Sequence, residues 1–135
     1  MNDEPELRRV REFSLFVPGE VWTINKDRNL HHHARAKMIA PFRQAAKLLC
    51  LNKMRMHDFG PYTTPVTVTF RPMQKPGVIA DTANHLPPCK AVLDGIVDAK
   101  LLKDDTAEFV LAQTFLPPSK SKDTGIWVFI TDEAR

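Results

Sequence analysis

Acidic and amide side chains cluster in the second half of this 135-residue chain. Six candidate residues fall between positions 81 and 105: Asp81, Asn84, Lys90, Asp94, Asp104 and Asp105. Carboxylates bind hard cations, which neutralise a phosphodiester and activate a water for its hydrolysis. A lysine beside them can stabilise negative charge developing on the phosphate or the leaving oxygen. The cluster therefore contains the groups that metal-dependent phosphodiester hydrolysis requires.

The spacing of these residues is not specific to that chemistry. Asp81 also suits a turn or a cap, and Asp104–Asp105 also suits a solvated loop. Lys90 and Asp94 are four residues apart, so on a helix they also suit a surface ion pair that contributes little to stability. On the residues alone, a catalytic cluster and ordinary surface charge both stay open.

Basic residues concentrate in a separate stretch. The chain has a net charge of +3 and a pI of about 9.0. Residues 21–60 carry a net charge of +6 and four histidines, which leaves the other 95 residues at −3. One basic region and one acidic cluster suit a protein that holds a polyanion near bound cations, although a solvated helix face would give the same charge pattern.

The apolar pattern predicts one α/β domain with the element order β-α-β-α-β-β around a mixed sheet flanked by two helices. Alternating or apolar runs predict strands at 10–17, 65–71, 108–116 and 126–131, the last buried on both faces. A first helix is predicted at 35–51, with Met38, Phe42, Ala45 and Leu49 on its apolar face. Pro41 either kinks this helix or marks its start.

The second helix is predicted to open at Pro87–Pro88, since proline fits the first turn. The Lys90–Asp94 pair projects from one face of this helix, which ends before Asp104–Asp105, so those carboxylates can fold back towards Asp81. The remaining segments are predicted as a loose N-terminal arm at 1–9, an exposed basic loop at 20–33, loops at 52–64 and 72–79, a connector at 101–105 and a basic turn at 117–125.

Two cysteines provide no disulfide framework and suggest small, partly buried thiols in a reducing compartment. No apolar run approaches the ~20 residues that cross a bilayer, and the charged N-terminus is not typical of a signal or transit peptide. These features predict a cytoplasmic protein. Glycine is scarce, and no phosphate-binding loop is present.

The motif from Asp81 to Asp105 resembles that of the RusA-type Holliday-junction resolvase family. That family's motif reads Asp-x-Asp-Asn, a lysine, an aspartate four residues later and a paired Asp-Asp about ten beyond. The segment ANHLPPCKAVLDGIVDAKLLKDD resembles phage and prophage members in particular. Upstream, the segment from Thr23 through His31 to Arg43 resembles the family's basic, asparagine-containing region, so the likeness spans residues 10–131.

The resemblance implies an intertwined α/β homodimer that nicks four-way DNA symmetrically with Mg²⁺, for which Mn²⁺ would substitute. By position, Asp81, Lys90 and Asp105 would be catalytic, and Asp81, Asp104 and Asp105 would bind metal. Asn84 and Asp94 would support them. DNA would contact the basic region at Asn25, Lys26, Arg28, His31, Arg35, Lys37, Arg43 and Lys47.

One position departs from the family pattern, because the second aspartate of Asp-x-Asp-Asn falls at Ala83, which cannot bind metal. Either fewer carboxylates suffice, or Asp104 compensates, or catalysis is impaired. An active junction nuclease is therefore one hypothesis, and a structure-specific DNA-binding protein with lost or weakened nuclease activity is the alternative. A protein-interaction module with solubilising charges is the third.

Three other features are assigned more ordinary roles. His31, His32 and His33 are consecutive, and three neighbouring histidines in a loop do not easily face one ion, so phosphate contact or plain exposure is favoured over metal binding. Trp22 is predicted to anchor the core rather than stack on a base. Trp127 is predicted to lie in the core.

Overall fold

The fold is built from a mixed sheet of five strands and three helices. The structure, a computed structural model, describes residues 10–77, 80–82 and 84–132. The strands are β1 (Glu12–Pro18), β2 (Val66–Gln74), β3 (Val110–Phe115), β4 (Ser119–Lys120) and β5 (Gly125–Thr131). The helices are α1 (Ile24–Arg28), α2 (His32–Met56) and α3 (Leu86–Asp98). The predicted α/β class with a mixed sheet is confirmed, whereas the N-terminal arm at 1–9 lies outside the described residues.

The sheet combines antiparallel and parallel pairing. Its order is β1-β5-β2-β3, with β4 also pairing with β2. Strand β5 is antiparallel to both of its neighbours, while β3 and β4 run parallel to β2. Parallel strands need a crossover connection, and α3 lies in the connection between β2 and β3. The crossover therefore carries the candidate residues 81–105.

One face of the sheet is buried by period-two alternation along the strands. Strand β2 alternates buried and half-buried positions from end to end. Buried side chains from three strands form one cluster with α2 and α3: Phe13, Leu15, Val17, Val66, Val68, Phe70, Ile126, Val128 and Ile130. The helices thus pack on this face.

Helix α2 is longer than the sequence predicts. It runs continuously from His32 to Met56, so the first five residues of the predicted 52–64 loop are helical. Pro41 lies inside it and is exposed to solvent; it neither starts the helix nor ends it. The fully buried positions are Phe42, Ala46 and Cys50. The buried face of α2 is therefore displaced by one residue from the predicted one: Ala46 and Cys50 are buried, whereas Ala45 and Leu49 are only half-buried.

A short helix replaces part of the predicted 20–33 loop. The side chain of Thr23 caps α1 by accepting a hydrogen bond from the Lys26 amide at 3.3 Å. Trp22 is 2% exposed, and its indole Nε1 donates to the Asp27 carboxylate at 3.1 Å. The prediction that Trp22 anchors the core is confirmed. The tryptophan also ties α1 to the core through Asp27.

The prediction that the last strand is buried on both faces is wrong. Phe129 in β5 is 41% exposed, and Trp127 is only half-buried, so its assignment to the core is wrong as well. Both residues lie on the face of the sheet opposite the one that α2 and α3 cover. Strand β3 is similarly more exposed than its apolar composition suggests, with Val110 as its only buried residue. The predicted turn at 117–125 contains β4.

Two further features of the fold are the hydropathy of its helices and the burial of its two cysteines. Among the described residues, no helix combines the length and apolar character needed to cross a membrane. Cys50 and Cys89 are free and buried. Burial raises the pKa of each thiol to about 12, because the thiolate loses its hydration in an apolar environment.

Candidate active site

The Lys90 ammonium group lies at the centre of the candidate site. It donates hydrogen bonds to the carboxylates of Asp105 and Asp94, the latter at 3.2 Å. Lys90 and Asp94 are four residues apart on α3, so their side chains share one face of the helix. The Lys90–Asp94 ion pair expected from the spacing is present. Asp105, which lies beyond the end of the helix, also contacts the Lys90 ammonium.

A tight reversal after α3 brings Asp105 back to Lys90. Lys100 follows the C-cap residue Ala99 and adopts a left-handed conformation with φ of 68°, which ends the helix and turns the chain. Leu101 and Leu102 then insert into the core, and the Leu101 carbonyl accepts a hydrogen bond from the Tyr62 amide at 3.0 Å. The connector is thereby fixed in place, and the carboxylate that follows it returns to the first half of α3.

Mutual pairing fixes the charges of these groups. The hydrogen bond from Lys90 holds the pKa of Asp105 below its usual range. Partial burial lowers the pKa of Lys90, but hydrogen bonds to Asp105 and Asp94 outweigh it, and the pKa is raised overall. Lys90 is therefore a cation at neutral pH. It can donate a hydrogen bond and offset negative charge, but it is not a general base.

The two remaining metal-ligand candidates, Asp104 and Asp81, are both exposed to solvent. The Asp104 carboxylate accepts a hydrogen bond from the Asp105 amide at 2.7 Å, and its side chain is exposed. Asp81 is also exposed. Its carbonyl accepts from the Asn84 amide at 3.0 Å, and the Asn84 carbonyl accepts from the Ile24 amide at 2.8 Å. The Asp81 loop is thus attached to the start of α1.

The acids assigned to metal binding do not form a closed ligand set. Among the described residues, Asp81, Asp104 and Asp105 do not bring their carboxylate oxygens within 4.8 Å of one another. Their oxygen donors are nevertheless the type that Mg²⁺ prefers, and the convergence of Asp94 and Asp105 on one ammonium shows that this position favours a cation. The donor set fits a hard divalent cation in its chemistry. Ala83 lies outside the described residues.

Two of the predicted DNA-binding arginines are engaged within the protein. Arg43 donates from Nε and a terminal nitrogen to the two oxygens of Asp98, at 2.6 and 2.9 Å. Arg35 pairs with the Asp27 carboxylate at 3.2 Å and donates to the Asp27 carbonyl at 2.8 Å. These pairs join α2 to α3 and α1 to α2. The partners Asp98 and Asp27 carried no predicted role. Arg43 and Asp98 are 55 residues apart, so their pairing leaves no local signal in the sequence.

Other members of the predicted DNA-binding set are more accessible. Five of them are exposed to solvent on α1, at the N-cap of α2 and in its first turns: Asn25, Lys26, Arg28, His31 and Lys37. Lys47 is half-buried and lies further along α2. Within the predicted set, the accessible positive charge therefore lies on α1 and at the start of α2.

A cleft of about 490 Å³ connects this basic region to the candidate site. Residues of all three helices line it. The apolar residues of the lining include Ile24, Ile39 and Leu86, and the charged ones include Arg28, Lys90 and Asp94. One cleft is thus lined both by residues of the basic region and by the Lys90–Asp94 pair.

The three consecutive histidines are exposed, as favoured from the sequence, but their rings lie closer together than expected. Their ring centroids are 4.2 Å apart for His31 and His32, 4.0 Å for His32 and His33, and 5.2 Å for His31 and His33. One nitrogen from each ring lies within 4.8 Å of the other two. The expectation that three neighbouring histidines do not easily converge is therefore not met, because His31 is extended while His32 begins α2, and this bend brings the rings together.

In comparisons with known proteins, no protein-family model and no curated protein matches the sequence.

Proposed function

We propose that this protein is a magnesium-dependent endonuclease of the RusA type, which resolves four-way DNA junctions by symmetric phosphodiester hydrolysis in recombination and repair. The observation that carries the proposal is the Lys90 ammonium held between Asp94 and Asp105, in the lining of a cleft. Arg28 and Arg35 of the basic region line the same cleft. An ammonium, carboxylates and basic residues thus lie together, and this combination suits phosphodiester cleavage.

In this proposal Lys90 acts on the reacting phosphate. Its raised pKa keeps it protonated, so it can donate to a phosphate oxygen or to the leaving oxygen as negative charge develops there. Asp94 and Asp105 hold the ammonium in position. Because both contacts are already formed, orienting Lys90 costs little when DNA binds.

The carboxylates Asp81, Asp104 and Asp105 would hold Mg²⁺ or Mn²⁺, with Asn84 supporting the Asp81 loop. The bound ion would neutralise phosphate charge and supply an activated water. Asp105 has two partners in this scheme, the lysine and the metal. Its lowered pKa suits both, since it stays ionised well into the acid range.

The proposal includes a homodimer, because symmetric nicks in a two-fold junction require two sites related by a two-fold axis. Aromatic residues on the outward face of the sheet offer an isologous surface. The rings of Phe16 and Trp127 lie 5.2 Å apart and those of Trp127 and Phe129 lie 5.7 Å apart. A groove of about 540 Å³ adjoins Phe129 on this face. A second copy of the chain would cover these rings.

Light scattering tests the dimer. Wild-type protein should be dimeric, and Phe129→Asp should shift it to monomer, whereas Leu48→Asp on the exposed side of α2 should not. A monomeric wild type at micromolar concentration would contradict the dimer. The proposed setting is the cytoplasm of a bacterial or phage-infected cell, which agrees with two free, buried thiols.

The alternative function is junction binding with lost or weakened cleavage. Two observations favour it: Ala83 stands where the family has an aspartate, and Asp105 is already paired with Lys90. A gel-shift assay with four-way and linear duplex DNA, followed by addition of Mg²⁺, separates the possibilities. Selective binding and paired nicks support the nuclease, binding without nicks supports the alternative, and no preference for junctions contradicts both.

A further inference from the structure

We propose that His31, His32 and His33 form a binding site for a transition-metal cation of the zinc class, separate from the carboxylate site. The three imidazoles cluster at the start of α2 with one nitrogen from each within 4.8 Å of the others. Among the described residues, this is the only group of three or more His, Cys, Asp or Glu side chains that converges so closely. The inference does not depend on nuclease activity.

The ligand chemistry defines the cation. Imidazole nitrogen suits Zn²⁺, Cu²⁺ and Ni²⁺, whereas Mg²⁺ prefers oxygen ligands. In a tetrahedral zinc site the ligand nitrogens lie 2.0–2.1 Å from the metal and thus roughly 3.4 Å from one another. The histidine nitrogens, which lie within 4.8 Å of one another, need to close by up to about 1.4 Å to reach that spacing. All three side chains are exposed, so small rotations achieve this without repacking the core.

His31 also caps the start of α2, because its Nδ1 accepts a hydrogen bond from the His33 amide at 3.3 Å. A neutral imidazole that accepts at Nδ1 carries its proton on Nε2, so in this arrangement neither nitrogen of His31 has a free lone pair. Metal binding through either nitrogen therefore releases this cap, and Zn²⁺ has to compete with one long hydrogen bond.

The positive end of the α2 dipole acts against a bound cation at this position. The effect is up to about fivefold in affinity for an exposed unit charge, and up to roughly 30-fold for a divalent ion. Three nitrogen ligands outweigh it.

Three histidine ligands leave at least one coordination position open. Zinc sites with three protein ligands keep a fourth position for water or another molecule. Arg28 and Lys37 are exposed on the adjoining elements, so a bound cation would add to the positive charge of the basic region. The proposed site thus gives the basic region a metal-dependent increase in charge.

Zinc titration of the full-length protein tests the site. The probe is Zn²⁺ itself, measured by calorimetry and by competition with a chromophoric chelator, without DNA and with excess Mg²⁺ to occupy the carboxylates. One Zn²⁺ should bind per chain. His31→Asn, His32→Gln and His33→Gln should each weaken binding at least about tenfold, since even indirect changes around a metal cost that much.

The variants are chosen to preserve the fold. Asparagine at position 31 keeps a side-chain acceptor for the cap of α2, and glutamine is a good helix former at the other two positions. His57→Gln is the matched control, because His57 is exposed at the other end of the same helix. Thermal unfolding gives a second readout, since Zn²⁺ should raise the Tm of wild type and of His57→Gln but not of the three site variants.

Several outcomes would overturn the site. They are the absence of saturable binding in the wild type, unchanged affinity in the three variants, and an equal loss in His57→Gln. Failure of the nuclease assay leaves this result unaffected, because zinc affinity is measured without DNA or cleavage.

Discussion

Lys90 and Asp105 are 15 positions apart in the chain, yet the ammonium of one donates a hydrogen bond directly to the carboxylate of the other. The contact spans the end of α3, the left-handed Lys100 and the buried pair Leu101 and Leu102. The contact pairs a protonated Lys90 with an ionised Asp105 at neutral pH, since the pKa of Lys90 is raised and that of Asp105 is lowered. The proposed chemistry depends on this pair.

Replacing Lys90 should reduce the rate of cleavage more than the affinity for DNA. Lys90→Ala should lower the nicking rate about 10²- to 10³-fold, as removal of one group aimed at transition-state charge does, while junction affinity changes little. Single-turnover cleavage and gel shifts measure the two quantities. Lys122→Ala, in the turn before β5, is the control. Equal losses of rate and affinity in Lys90→Ala would point to a simple phosphate contact.

Gly95 permits the close approach of α3 to α2. A Cβ atom there would lie 2.3 Å from the Arg43 carbonyl oxygen and 2.7 Å from the Ala46 Cβ. Gly95→Ala should therefore destabilise the protein by about 1–3 kcal/mol or more, because two backbones have to separate. Gly60→Ala is the matched control, since nothing lies within 4 Å of its added Cβ. Urea unfolding measures both, and equal stabilities would contradict this packing.

The sequence predicts part of this site from local rules. Helical spacing is enough to pair Lys90 with Asp94, and Pro87–Pro88 is enough to place the start of α3. The return of Asp105 depends on a left-handed Lys100 and on two buried leucines, and a lysine at that position gives no local sign of the turn. The Arg43–Asp98 pair depends on how α2 packs on α3, which hydrophobic periodicity does not specify.

The first half of the chain was harder to predict for similar reasons. Thr23 caps α1, but the position three residues later is Lys26 rather than the glutamate of a capping box. Five helical residues also give too little periodicity to recognise. Pro41 suggested an interruption of α2, yet its ring points to solvent and the helix continues. The exposure of Phe129 depends on which face the helices cover, and an apolar strand does not indicate that.

Phosphate contact should depend on the accessible basic residues rather than on Arg43. Arg28→Ala with Lys37→Ala should weaken binding to all DNA and reduce the slope of log affinity against log salt by roughly 2, as two phosphate contacts are lost. Arg43→Ala should leave the slope close to that of wild type, because its guanidinium is bonded to Asp98. If Arg43→Ala reduced the slope while Arg28→Ala with Lys37→Ala left it unchanged, Arg43 would be the residue that contacts phosphate.

The Arg43–Asp98 pair should contribute pH-dependent stability. The hydrogen bonds from Arg43 hold the pKa of Asp98 below its usual range, so the ionised carboxylate stabilises the fold above that range and loses its effect as pH falls through the folded-state pKa. Arg43→Ala should cost about 1 kcal/mol or less at neutral pH, since both groups are partly exposed.

Unfolding as a function of pH measures this contribution. The difference between wild type and Arg43→Ala should shrink as pH falls through the folded-state pKa of Asp98. Arg55→Ala, an exposed arginine in the last turn of α2, is the control and should show no such trend. A difference that stays constant down to strongly acidic pH would show that Arg43 acts through packing instead.

The central claim is that Asp81 and Asp105 bind the catalytic metal ion. Asp81→Asn and Asp105→Asn should each abolish magnesium-dependent nicking while the protein still folds and binds junctions, because a lost carboxylate lowers metal affinity. Junction affinity should hold or increase, since one repulsion of the phosphates is removed. Ala83→Asp should strengthen Mg²⁺ dependence and raise the rate if the natural site has too few carboxylates.

The most direct test is the rate of junction cleavage against Mg²⁺ concentration for wild type, Asp81→Asn and Asp105→Asn. Saturable cleavage by wild type and none by either variant, with junction binding intact in all three, is the predicted result. Cleavage by Asp81→Asn and Asp105→Asn at the wild-type rate would contradict the proposal, because the acids would then not form the catalytic metal site.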